Sequence, residues 1–224
     1  MTRGVLVIGA GGLSCPVLSV LAESGVTRVT LVDDDRVELS NLQRQTLYEE
    51  SDVGQLKIAA AARLGNVHGI EDRFVPDNAI ALVAGHALVI EGSDNYATKF
   101  LAADAARLSG VPIVQAGAVR FSGWAFASDA RGPCLRCLFE DVPAQADTCA
   151  SAGVLGPVVG VVGALQAALA LELLRGRGAG SLWSYDALGS GLRKRAVRAR
   201  NDCPLCSGQV RDVSEARYLA AASC

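Results

Sequence analysis

The stretch "VLVIGAGGLSCP", residues 5–16, constrains this chain more than any other. An apolar run breaks into glycines at 9, 11 and 12, then resumes at once as a helix-like apolar pattern. Glycine lets the backbone turn tightly at the end of a strand and brings its N–H groups onto a phosphate at a helix N-terminus. Gly9, Gly11 and Gly12 are therefore candidate nucleotide-binding residues. Ser14 holds the third fingerprint position, where a small side chain is tolerated. Asp33 ends the next apolar run, close to the spacing of about 20 residues at which a carboxylate accepts a ribose hydroxyl. Glycines and acid together predict a nucleotide site and leave NAD, FAD and ATP open.

Further apolar runs at 4–8, 28–33, 70–75, 87–91 and 112–116 alternate with helical patterns at 13–24, 54–65, 77–84 and 95–109. This order predicts an α/β fold, a Rossmann-like mixed sheet that is parallel in its first half with helices on both faces. After residue 117 an alternating run at 122–128, a long apolar helix and strands near 182–186 and 191–199 predict antiparallel strands at the far end. Residues 1–208 read as a single domain and 209–224 as a loose tail or accessory helix. Half of the 224 residues are hydrophobic and 20% are charged, enough for a sizeable core.

A net charge of −2 with both signs interspersed argues against nucleic acid as a partner. The basic run "RKRAVRAR", 193–200, reads as a solvated edge strand. No signal peptide pattern opens the chain, so a cytoplasmic setting is expected. The uncharged segment 148–171 is as long as a bilayer span of about 20 residues. Pro157, Gln166 and Glu172, with no flanking positive bias, favour a buried helix in a core or at a subunit interface over a membrane span. Gly156, Gly160 and Gly163 would let another backbone approach it closely.

The block "DDRVELSNLQRQTLYEESDVGQLK", 34–57, argues for a triphosphate. Arg44 can clamp phosphate oxygens bidentately, Lys57 offers a point charge, and Asp35, Asn41 and Gln45 crowd the same reach. Asp94 and Asn95 in "EGSDNYATK" follow the fourth strand, at the edge where such sheets bind ligands. Asp94 is a candidate ligand for Mg²⁺. Taken singly, Asn41 could be a helix cap, Arg44 a surface ion pair and Asp94 the cap of the helix from 95. A dehydrogenase would leave the block unexplained.

Of seven cysteines, Cys134, Cys137, Cys203 and Cys206 form two CxxC pairs, a spacing that suits a tetrahedral zinc site. If the pairs meet across the fold, they form a structural clip between the last strand and the crossover loop. Cys149 precedes the apolar helix, whose N-terminus would activate its thiol, so it is a candidate nucleophile as well as a packing residue. Cys15 reads as packing and Cys224 as a tail thiol, while His68 and His86 stand outside every cluster.

The glycine turn with its acid, then "DDDRVELSNLQRQ", "GQLK", "SDN" and the paired CxxC motifs, resembles the E1-like adenylating enzymes of the ThiF/MoeB group from about residue 4 to 207. The resemblance implies ATP-dependent adenylation of the C-terminal glycine of a ubiquitin-like sulfur carrier ending in Gly-Gly, in thiamine or molybdopterin synthesis. It implies that Asp33 holds the ribose, that Asn41, Arg44 and Lys57 hold the triphosphate, and that Asp94 holds magnesium. It further implies a structural zinc, a homodimer and a role for Cys149 in sulfur transfer. Relatives usually open with an arm whose arginine reaches the partner subunit's ATP. Only Met1, Thr2 and Arg3 precede strand one here, and Arg120 is a candidate substitute. Lys99 stands where the group more often has arginine. Adenylation of another carboxylate, such as a peptide's, and a non-catalytic partner subunit of a heterodimer are the alternatives.

Overall fold

The computed structural model describes residues 4–142, 152–189, 191–214 and 217–218. The β-branched runs form β1 (Val5–Ile8), β2 (Val29–Val32), β3 (Val67–Ile70), β4 (Leu88–Glu91), β5 (Ile113–Val119), β6 (Ser122–Ser128), β7 (Ser181–Asp186) and β8 (Gly191–Ala196). They make one sheet in the order β3-β2-β1-β4-β5-β6-β7-β8. From β3 to β5 the pairs are parallel and from β5 to β8 antiparallel, the mixed sheet expected. The helices are α1 (Ser14–Glu23), α2 (Lys57–Ala61), α3 (Pro76–Ala84), α4 (Tyr96–Leu108), α5 (Leu135–Leu138) and α6 (Gly156–Leu174).

Two expectations are corrected. The third strand lies at Val67–Ile70 rather than 70–75, because only Val67 of this edge strand is buried and its register follows Val29–Val32 of β2. Phe74, which suggested a strand, is buried instead among the side chains of α3 and α4. The helix expected over 54–65 is shorter: α2 passes into a 3₁₀ turn at Ala62–Leu64 that Gly65 ends.

Cores lie on both faces of the sheet. One joins α1 and α6 to β1, β2, β4, β5 and β6, and the other joins α3 and α4 to the opposite face. Helix α6 is long and apolar enough to cross a membrane by composition. Here it lies against the sheet, burying Val158, Val159, Val162, Gln166, Ala167 and Leu173. Close approach explains two of its glycines: a Cβ at Gly163 would strike Leu13 and Pro16 of the α1 turn, and one at Gly156 would strike Gln43. Gly160 faces open space. Strand β8 is the edge opposite β3, and its Arg193, Lys194 and Arg195 are exposed, as the basic run suggested.

The segment beyond 208 is not wholly loose. Tyr218 is buried and its hydroxyl donates to Asp104 Oδ2 at 2.7 Å. Asp104, fully buried on α4, also accepts both prongs of the Arg136 guanidinium at 2.9 Å. A buried carboxylate needs that full complement of donors, and the tail supplies the last one.

Candidate nucleotide and metal sites

The chain crosses from one side of β1 to the other, so the crevice between the carboxyl ends of β1 and β4 is where such a sheet binds ligands. A cleft of about 1470 Å³ opens there. Gly9, Gly11, Gly12, Asp33, Asp35, Asn41, Arg44, Lys57, Asp94 and Asn95 all line it, so the expected nucleotide residues converge on one site.

Gly9 has φ of 86°, a left-handed turn that favours glycine. Gly12 lies so close to Arg44 O and Val159 that a Cβ would sit 2.8 Å from each. Ser14 is accommodated because the chain is glycine across from it: a Cβ on Gly92 would collide with Ser14 Oγ. Tyr48, buried within the polar block, donates its hydroxyl to Ala10 O at 2.9 Å and braces the turn. Cys15 packs behind it, and burial pushes its thiol up to about 11. His86, on neither cluster, bonds Leu82 O and Thr30 Oγ1.

Asp33 accepts the Ala10 N–H at 2.7 Å and the Asp35 N–H at 2.9 Å. Burial raises its carboxyl above the ordinary range, and those N–H groups oppose the shift. The buried Lys57 ammonium reaches Asp35 Oδ2 at 2.7 Å. Arg44 donates to Asn41 Oδ1 at 2.8 Å, which holds the guanidinium at the rim. Gln45 is buried against the cleft, and its Oε1 has no partner among the described residues. An unsatisfied acceptor in a cleft wall is what a ligand hydroxyl or amino group would relieve.

Asp94 is exposed in the loop after β4, and no described residue hydrogen-bonds or pairs with it. An exposed carboxylate on the cleft that the glycine turn lines fits Mg²⁺, which takes one or two carboxylates plus phosphate oxygens. The cap of α4 falls to Asn95, whose side chain accepts the Thr98 N–H at 2.8 Å. Arg120, at the tip of the β5–β6 hairpin, also lines the cleft. Its φ is 52°, and its backbone pairs on both sides with Gly153 and Leu155. Sequence reasoning missed Tyr48, Glu91 and Arg73, whose guanidinium pairs with Asp34 at 3.6 Å on the cleft wall. A phenol inside a polar block, and a charge ending the apolar run "ALVIE", were the available signals.

The four expected cysteines meet. The sulfurs of Cys134, Cys137, Cys203 and Cys206 lie within 4.8 Å of one another. Cys134 is 3.5 Å from Cys203, 3.5 Å from Cys206 and 3.9 Å from Cys137. A tetrahedron of Zn–S bonds of about 2.3 Å has edges near 3.8 Å, so the set fits zinc. Burial and the other three sulfurs push the Cys134 thiol upward, so four thiolates could coexist there only around a cation. Cys149 lies outside the described residues.

A mixed α/β sheet with a glycine turn at its switch point, an acid, two cations and an exposed carboxylate around one cleft, and a remote cluster of four cysteines has the architecture of a nucleotide-binding α/β protein. The ThiF family model matches residues 2–206. The chain belongs to the ThiF family. It is 41% identical over 223 residues to a sulfur carrier protein adenylyltransferase of Thermus thermophilus, covering 92% of this chain and 82% of that one. It is 38% identical over 232 residues to a SAMP-activating enzyme E1 of Haloferax volcanii, covering 98% and 86%. The fold matches Escherichia coli MccB, crystallised with MccA-N7isoASN, with a TM-score of 0.78 at 19% identity over 91% of this chain and 66% of that one.

Proposed function

We propose that the protein adenylates the C-terminal glycine carboxylate of a ubiquitin-like sulfur carrier ending in Gly-Gly, consuming ATP and releasing pyrophosphate. The observation that carries this reading is the convergence of the glycine turn, Asp33, Arg44, Lys57 and Asp94 on one cleft, in a chain 41% identical to a sulfur carrier protein adenylyltransferase. Asp33 binds the ribose, with its carboxylate aimed by two backbone N–H groups. Asn41, Arg44 and Lys57 hold the triphosphate. A carrier carboxylate oxygen bonds to the α-phosphorus as the bond to the bridging oxygen breaks, and pyrophosphate leaves with that electron pair.

Carboxylate and triphosphate repel, so Arg44 and Lys57 are placed to offset charge as the phosphorus becomes five-coordinate. Magnesium at Asp94 would neutralise phosphate oxygens. No protein nucleophile is needed. Zinc in the thiolate knot is structural, because all four sulfurs face one centre and leave no open position. The chain pairs as a homodimer through the open face of α6, where Pro157, Gly160, Val161, Ala164 and Ala168 are exposed.

ATP–pyrophosphate exchange, with and without a purified carrier ending in Gly-Gly, tests the proposal. Carrier-dependent exchange is expected. ATP binding without exchange on any Gly-Gly carrier would move the assignment to another carboxylate or to a non-catalytic subunit.

A further inference from the structure

The most unusual chemistry outside the nucleotide residues is a charged pair in the core beneath the Asp94 loop. Glu91, at the end of β4, is fully buried and Lys99 of α4 is 4% exposed. Their charged atoms lie 3.0 Å apart. All three Lys99 protons are used: beyond Glu91 Oε2, the ammonium donates to Ser93 O at 2.8 Å and Ala116 O at 2.5 Å. The other Glu91 oxygen accepts the Ser93 N–H at 2.7 Å and the Ser93 hydroxyl at 2.5 Å.

The pair therefore holds both the N–H and the carbonyl of Ser93, the residue before Asp94. Two buried amides extend the network. Gln115 donates to Lys99 O at 2.7 Å, and Gln166 of α6 donates to Glu91 O at 2.7 Å. Each amide leaves its own Oε1 without a partner. A core of this kind gains little stability over an apolar one of the same volume. What it supplies here is a fixed peptide on either side of one residue, Ser93.

We infer that Glu91 and Lys99 are positioning residues that set the Ser93–Asp94 peptide so that the Asp94 carboxylate is presented to the magnesium of bound Mg·ATP. This rests on the placement of magnesium at Asp94 in the proposed function. Glu91 does not line the cleft, and the ammonium of Lys99, in the cleft wall, is spent on Glu91, Ser93 O and Ala116 O. Both act by aiming a carboxylate that otherwise stands unsupported in solvent. Groups that orient a metal ligand commonly change metal affinity by roughly 10- to 100-fold when lost.

The test is ATP affinity by titration calorimetry, in magnesium and in EDTA, for the full chain and for Glu91→Gln, Lys99→Met, Lys99→Arg and Ser93→Ala, with thermal unfolding of each as a check on folding. Glu91→Gln and Lys99→Met should lose most of the magnesium-dependent gain in affinity, roughly tenfold or more, with affinity in EDTA unchanged. Lys99→Arg, which keeps the charge and donors, should restore it, and Ser93→Ala should show a smaller loss in the same direction. If Lys99→Met fails to fold, Glu91→Gln and Ser93→Ala carry the comparison, since both keep the core filled. The inference is overturned if the magnesium gain survives in these variants, if affinity falls equally in EDTA, or if the unaltered protein shows no magnesium gain. A normal gain in the unaltered protein without carrier-dependent exchange would overturn only the proposed reaction.

Discussion

In the proposed reaction Arg44 is a side chain prepared before its ligand arrives. Its guanidinium is already tied to Asn41 Oδ1 at 2.8 Å and to Ser40 O at 3.4 Å, so less of its freedom remains to be lost on binding phosphate. Arg44→Ala should therefore lower carrier-dependent exchange by roughly 100- to 1000-fold while the unfolding temperature stays within a degree or two, because the residue lies at the rim. Unchanged exchange would remove Arg44 from the phosphate site. Gly9, Asp33, Arg44 and Lys57 were legible in the sequence because each belongs to a short segment whose spacing carries its meaning. Tyr48 and Glu91 were not. Tyr48 depends on Ala10, which reaches it only through folding, and Glu91 is an acid ending an apolar strand whose pairing with the Lys99 ammonium in the core no local pattern announces.

Among the elements, the clearest lesson is the contrast between α4 and β3. The helix was readable to within a residue, since Asn95 is a strong N-cap and the apolar face repeats over three turns. Strand β3 slipped because an edge strand with one buried residue has almost no alternating pattern to read. The four-cysteine cluster is an element-scale device as well, joining the turn after β6 to the segment after β8. Protein purified without chelator should carry about one zinc per chain. Cys203→Ser should carry far less and melt several degrees lower, at roughly 2–4 °C for each kcal/mol lost in a chain of this size. Full zinc content in the variant would show that the metal binds elsewhere.

For the whole molecule, the mixed sheet was legible in the sequence, and the face of α6 that the sheet would cover was not. Alternating strand and helix signals dictate a parallel half-sheet, and the short β5–β6 and β7–β8 hairpins dictate two of the antiparallel pairs, while β6 and β7 meet through a long connection that carries α5 and α6. A helix apolar on every side does not reveal which side the sheet will cover. Folding covers one face of α6 and leaves Val161, Ala164 and Ala168 open. Sedimentation should show a dimer, and Ala164→Glu, which puts a charge in the middle of that stripe, should yield monomers of unchanged fold. A dimer that survives the substitution would place the contact on another surface.

The joint between Tyr218, Asp104 and Arg136 bears on how long this protein must be. Measured by family likeness, the unit closes at residue 206. Measured by what the core needs, it runs at least twelve positions further (218 − 206), to the phenol that completes Asp104. A gene trimmed to the family boundary would encode every recognised motif and still leave a carboxylate short of a donor in the interior. The smallest sound version of this enzyme is longer than its signature.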